Sequence, residues 1–125
     1  MEKMRILAID DNTVNLATLE QELKSKYEVI PMISGRRAIK YLYRENVDLI
    51  LLDVEMPIMD GHRLTKLVKE DDTLKKIPLI IFSSLVNDEM RRKGEALGAD
   101  AQLTKPEIGQ LVDTIDQLID KMDIV

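Results

Sequence analysis

Short apolar runs alternate with longer amphipathic stretches along this sequence, and this alternation limits the fold more than any other feature. The apolar runs predict five strands, at residues 5–10, 28–32, 48–53, 77–83 and 101–104. Most are continuously apolar, which is typical of strands covered on both faces. The stretches between them have helical periodicity, clearest at 108–122. The pattern predicts an α/β fold in which a doubly wound parallel sheet forms the middle of three layers.

Helix boundaries are marked by residues that favour the ends of helices. Ser34, Asp60 and Asn87 each precede a predicted helix and are suited to cap its start, and Gly98 follows the fourth helix. No Pro/Ser-rich linker, internal repeat or block of like charge interrupts the alternation. The 125 residues are therefore predicted to form a single domain, 1–125.

Composition excludes several classes of function. The net charge of -5 disfavours a general attraction to nucleic acid or to an anionic membrane. The absence of cysteine excludes disulfides, thiolate metal sites and cysteine nucleophiles. The longest apolar run, 49–52, is too short to cross a bilayer, and no apolar stretch of signal-peptide length follows the first residues. We expect a cytoplasmic chain that binds neither membrane nor nucleic acid.

Polar residues close the predicted strands. Because parallel strands point the same way, these residues gather at one edge of the sheet, where ligands of open α/β sheets bind. A single aspartate in such a place is commonly only a turn or capping residue. A cluster of carboxylates needs a proton, a lysine or a cation to offset its repulsion. The residues at this edge are Asp10, Asp11, Asp53, Ser83, Ser84 and Lys105.

This set of side chains indicates phosphoryl transfer. Oxygen donors with no clustered histidine or cysteine favour a hard divalent cation, Mg²⁺ above others. A carboxylate beside Mg²⁺ and a lysine is arranged to attack a phosphoryl group. Asp53 is the predicted nucleophile because it ends a central strand, and Asp10 and Asp11 are the predicted metal ligands.

Five motifs stand at compatible spacings along essentially the whole chain. They are DDNxxN at 10–15, LLDVEMPIMDG at 51–61, Ser83-Ser84, Gly98-Ala99-Asp100 and Lys105-Pro106. Together they resemble the receiver domain of two-component response regulators. From residue 83 to 112 the sequence looks closer to receivers of the CheV type.

The resemblance implies a CheY-like, flavodoxin-like (βα)5 fold with sheet order 2-1-3-4-5. It implies that Asp53 accepts a phosphoryl group from a histidine kinase or a phosphotransfer protein. Asp11, Asp53 and the main-chain carbonyl of Glu55 would ligate Mg²⁺, with Asp10 acting largely through water. Ser83 and Lys105 would contact the phosphoryl oxygens, and a cis bond would join Lys105 to Pro106.

The resemblance also implies a signalling module and not an enzyme, since its only chemistry would be its own phosphorylation and dephosphorylation. The signal would pass to an unknown downstream protein through the face of helix 4, strand 5 and helix 5. The chain would be a monomer or a phosphorylation-dependent dimer.

One position departs from the family pattern. Receivers usually carry Tyr or Phe three residues before the active-site lysine, and this chain has Gln102 there. The ring that turns inward on phosphorylation is therefore absent. We predict a weaker or differently routed conformational response.

Two alternatives remain open at this point. A haloacid-dehalogenase-type phosphatase also uses an aspartate, Mg²⁺, a hydroxyl and a lysine, but it expects a second aspartate where Glu55 stands, and a longer chain. A receiver-like scaffold would bind partners whatever its phosphorylation state. Gln102 favours that scaffold mildly, whereas the intact site residues argue against it.

Two further features have ordinary explanations. His62 has no second histidine nearby and is predicted to be a surface residue of the third helix. The basic residues 91–93 are predicted to lie on a solvated helix face.

Overall fold

Five parallel strands and five helices alternate along the part of the chain that the structure describes. The structure, a computed structural model, describes residues 3–53, 61–83, 88–104 and 108–122. The strands are β1 (Met4–Ile9), β2 (Tyr27–Met32), β3 (Leu49–Leu52), β4 (Leu79–Ser83) and β5 (Ala101–Thr104). The helices are α1 (Thr13–Leu23), α2 (Gly35–Arg44), α3 (Gly61–Glu70), α4 (Asp88–Ala96) and α5 (Ile108–Met122).

The strands form one sheet in the order β2-β1-β3-β4-β5, which confirms the predicted order and fold. β3 lies in the centre, between β1 and β4. β2 is at an edge, and this position accommodates Pro31, which has no N–H to give to a second neighbouring strand.

The predicted strand boundaries were wrong by one or two residues in four of the five strands. β1 and β3 stop one residue before Asp10 and Asp53, which follow their strands instead of ending them. β4 begins after Pro78. Pro78 contributes its carbonyl to the pairing, which accepts a hydrogen bond from Ile50 N–H at 2.9 Å, and it has no N–H to donate. Hydropathy marks where a strand is buried, whereas the hydrogen-bond ladder marks where pairing stops.

Two apolar cores lie on opposite faces of the sheet, because successive strand residues point to opposite sides. Leu49 and Leu51 pack on the side of α1 and α5, and Ile50 and Leu52 pack on the side of α2 and α3. All four side chains are buried. This arrangement is the predicted three-layer sandwich, and it leaves the sheet edge as the place for polar side chains.

Two of the predicted helix ends are confirmed. Ser34 caps α2 by accepting a hydrogen bond from Arg37 N–H at 3.2 Å. Gly98 adopts φ +97 after α4, where its N–H donates to Glu95 O and that of Ala99 donates to Gly94 O. This pairing is a Schellman motif, which places glycine in the left-handed region. The predicted caps Asp60 and Asn87 lie outside the described residues.

A polar contact joins the start of β2 to α5. The Asp116 carboxylate accepts hydrogen bonds from Tyr27 Oη at 2.9 Å and from Lys26 Nζ at 2.8 Å. These donors lower the pKa of Asp116. Burial, together with the bond to Asp116, raises the pKa of Tyr27 to about 12.

We expect Tyr27→Phe to lower the free energy of unfolding at pH 7 by about 1 kcal/mol, because the part-buried hydrogen bond that the Tyr27 hydroxyl donates to Asp116 is lost. Since the folded pKa of Tyr27 exceeds its unfolded value, its stabilisation is complete below pH 10 and falls as the pH rises toward about 12. Urea unfolding of both proteins between pH 7 and pH 12 measures this.

The matched control is Tyr43→Phe, which removes the same atom from an exposed side chain whose hydroxyl contacts Asp71. Its effect should be smaller. Equal losses in the two variants, or an alkaline slope that Tyr27→Phe leaves unchanged, would contradict the assignment.

None of the helices in the part of the chain that the structure describes has the length and hydropathy of a membrane span.

Candidate functional site

Backbone hydrogen bonds place two aspartates at the carboxyl edge of the sheet. Asp10 N–H donates to Met32 O at 3.1 Å, at the end of β2, and Asp53 N–H donates to Ile9 O at 3.0 Å, at the end of β1. Each aspartate therefore extends the parallel ladder by one bond beyond its own strand. The side chains are almost fully buried, with Asp10 2% and Asp53 4% exposed.

The start of α1 orients the Asp10 carboxylate. Its Oδ1 accepts from Asn12 N–H at 2.9 Å, and its Oδ2 accepts from Asn15 Nδ2 at 3.2 Å. Asn12 also caps α1, since its Oδ1 accepts from the N–H groups of Val14 and Asn15. Both asparagines belong to the DDNxxN motif, but their roles were not predicted from it, although an asparagine just before a helical pattern is itself a capping signal.

Three carboxylates converge at this edge. Asp10, Asp11 and Asp53 each offer an oxygen, and the three oxygens lie within 4.8 Å of one another. Asp11 is exposed, so the cluster has one open side. Like charges at this separation repel, and a divalent cation offsets the repulsion. The all-oxygen donor set fits Mg²⁺, which is held in proteins by few carboxylates and retained water.

The remaining predicted site residues are described only in part or not at all. Ser83 ends β4, the strand next to the central β3, and pairs in register with Thr104 of β5. The side chain of Ser83 is not among the described parts. Glu55, Lys105 and Pro106 lie outside the described residues, as do Ser84 and the predicted cis bond.

Gln102 connects β5 to α4. It pairs in register with Ile81 of β4, and its Nε2 donates to the main-chain oxygen of Arg91 at 2.7 Å. Nothing in the sequence pattern pointed to this contact, because it joins residues eleven positions apart in different elements.

His62 is buried and not on the surface as predicted, with 5% of its area exposed. It lies near the start of α3 on the face that also carries Thr65, Leu64 and Val68. The three- and four-residue spacing of those positions was the signal that would have found it. The exposed positions of residues 91–93 confirm their predicted solvated face.

The chain was compared with known proteins. Residues 6–116 match the family model for the response regulator receiver domain. The chain belongs to this family. The resemblance stated from the five motifs is thereby confirmed.

Two curated relatives are similar to this chain over most of its length. The gliding motility regulatory protein of Myxococcus xanthus is 36% identical over 122 residues, which are 97% of this chain and 15% of that protein. Response regulator PleD of Caulobacter vibrioides is 39% identical over 103 residues, which are 82% of this chain and 23% of that protein. The chain thus spans under a quarter of either relative's length.

The chemotaxis protein CheY4 of Vibrio cholerae has a similar structure, with a TM-score of 0.86 and 28% identity over 93% of this chain and 98% of that one. Receiver domains are signalling domains that are phosphorylated on an aspartate and interact with histidine kinases or phosphotransfer proteins. The acidic cluster of this receiver matches the magnesium site expected for the family.

Proposed function

We propose that residues 1–125 form one receiver domain whose Asp53 accepts a phosphoryl group from a histidine kinase or a phosphotransfer protein in a Mg²⁺-dependent reaction. The observation that carries the proposal is the burial of Asp53 at the end of the central strand, with oxygens of Asp10 and Asp11 within 4.8 Å. The family match and the geometry of the site both support Asp53 as the phosphoryl acceptor.

The carboxylate of Asp53 is the nucleophile. One of its oxygens forms a bond to phosphorus while the bond between phosphorus and the donor breaks, and the product is an acyl phosphate. Water later attacks that phosphorus, the bond between phosphorus and the Asp53 oxygen breaks, and inorganic phosphate leaves as the carboxylate is restored. The Asp53 main chain is anchored to Ile9 O, so the nucleophile stays in place while its charge changes.

Asp10, Asp11, Asp53 and the carbonyl of Glu55 are the proposed ligands of Mg²⁺, with Asp10 acting largely through water. When bound, Mg²⁺ neutralises charge on the transferring oxygens. The two hydrogen bonds from Asn12 and Asn15 already hold the Asp10 carboxylate in one orientation, which supports an indirect role.

Ser83 and Lys105 are the proposed contacts to the phosphoryl oxygens. The register of β4 and β5 supports this assignment for Ser83, because its backbone lies at the same sheet edge as Asp53. Pro106 would fix the direction of the chain after Lys105. The signal would leave through the α4, β5 and α5 face toward a downstream protein.

Intact mass spectrometry after incubation with acetyl phosphate tests this proposal. We expect one phosphoryl adduct in the presence of Mg²⁺ and none when the metal is chelated. Hydroxylamine should release the adduct, because it cleaves acyl phosphates. A folded chain that gains no adduct from acetyl phosphate or from phosphoramidate would instead favour the scaffold alternative, in which partners bind regardless of phosphorylation.

A further inference from the structure

Gln102 and Gly94 are fitted to each other across the contact between β5 and α4. A methyl group placed on Gly94 would lie 2.5 Å from Oε1 of Gln102 and 2.8 Å from its Cδ. The amide of Gln102 therefore occupies the space that any larger residue at position 94 would need. Gly94 is a buried residue of α4, and the Gln102 amide packs against it.

Two hydrogen bonds accompany this fit. Gln102 Nε2 donates to Arg91 O at 2.7 Å, and the Arg91 guanidinium returns a longer bond to Gln102 O at 3.4 Å. The first is short and joins a side chain of the sheet to the backbone of the helix. A main-chain carbonyl has two lone pairs, so Arg91 O can accept from Gln102 without leaving its helical bond.

Glycine inside a helix is costly, because it loses more conformational freedom on folding than alanine does. Gly94 stands in the interior of α4, seven residues into a nine-residue helix. Its φ is not positive, so no unusual backbone conformation requires it. The contact that a larger residue at this position would disturb is the close approach of the Gln102 amide.

We propose that Gln102 is a polar latch that holds α4 against β5 in the unphosphorylated protein, and that Gly94 provides the space for it. Gln102 of β5 pairs with Ile81 of β4, and Ile81 lies two residues before the end of β4 at the candidate site. The latch therefore joins α4 to β5, the strand beside β4. The regulatory part of this proposal rests on the proposed function. In that part, the latch opposes any displacement of α4 that phosphorylation of Asp53 favours.

A double-mutant cycle tests whether the latch exists. In a Gln102→Ala background, Gly94→Ala should lower the unfolding equilibrium constant about two- to fivefold, because alanine favours the helix. In the wild-type background the same substitution should give no such gain, since the new methyl group expels the Gln102 amide from its bond to Arg91 O. Equal stabilisation in both backgrounds, measured by urea unfolding, would overturn the latch.

Arg91→Ala is the matched control. Among the described residues, it removes the longer guanidinium bond to Gln102 O, and it keeps the main-chain oxygen that Gln102 contacts. The coupling between positions 94 and 102 should survive in this variant. Its loss would mean that the Arg91 side chain, and not the Gln102 amide, joins the two elements.

Binding of beryllofluoride with Mg²⁺, a mimic of the phosphoryl group, tests the regulatory part by NMR. If the latch favours the unphosphorylated state, Gln102→Ala should bind the mimic about two- to tenfold more tightly and expose α4 amides to faster exchange, because linkage is reciprocal. Unchanged affinity would overturn the regulatory part. If the wild-type protein does not bind the mimic, the proposed function and the regulatory part fail together, and the stability cycle still decides whether the latch exists.

Discussion

Asp53→Asn should gain no phosphoryl adduct from acetyl phosphate and Mg²⁺, whereas the wild-type protein gains one. Asparagine has nearly the same shape but lacks the nucleophilic carboxylate. Its main-chain N–H can still donate to Ile9 O, so the edge of the sheet keeps its hydrogen bond. Loss of the adduct in a folded variant therefore reports on chemistry and not on misfolding. Intact mass and circular dichroism on the same sample measure both.

Asp72→Asn is the matched control for this experiment. The Asp72 side chain is 95% exposed, and its described contact is an ion pair with Lys75 in the loop before β4. This variant should be phosphorylated like the wild-type protein. An adduct that persists in Asp53→Asn would assign the acceptor to another carboxylate, and Asp10 and Asp11 would be the next to replace.

Magnesium should stabilise the wild-type protein, and Asp11→Asn should weaken that response while stabilising the metal-free protein. A ligand that binds only the folded state at a hundred times its dissociation constant contributes about 2.7 kcal/mol. Without metal, each pair of unit charges about 5 Å apart costs about 1 kcal/mol in a water-like medium. Asp11 is the exposed member of the cluster, so this solvated value applies to it.

Urea unfolding of both proteins over a range of Mg²⁺ concentrations measures the two effects together. The curves should cross, since Asp11→Asn begins with the higher free energy of unfolding and gains less from the metal. Asp72→Asn should follow the wild-type curve. Parallel curves for wild type and Asp11→Asn would remove Asp11 from the metal site, and a metal-free loss of stability would contradict the proposed repulsion within the cluster.

The two predictions test different members of the acidic cluster. Asp53→Asn removes the acceptor, which is also a proposed metal ligand, whereas Asp11→Asn leaves the acceptor and changes a proposed ligand beside it. A receiver with both responses uses the acidic cluster for phosphoryl chemistry. A receiver with the magnesium response alone would have a metal site but no phosphoryl transfer. That outcome would favour the scaffold alternative.

The architecture and the place of the candidate site could be predicted before the structure was known. Alternating apolar and amphipathic stretches are a property of neighbouring residues, so the five strands and the edge carrying Asp10, Asp11 and Asp53 followed from pattern alone. The sheet order 2-1-3-4-5 followed from the motifs that resemble receivers.

The ends of the strands, the orientation of the Asp10 carboxylate and the environment of Gln102 could not be predicted from sequence and became clear from the folded chain. Strand ends depend on which partner carbonyl is in reach, as Asp53 and Ile9 illustrate. The contact between Gln102 and α4 depends on the space above Gly94, which the helix and the sheet create only when they pack. Local pattern records burial and periodicity, whereas contacts between distant residues are set by packing, as the contact between Gln102 and Arg91 shows.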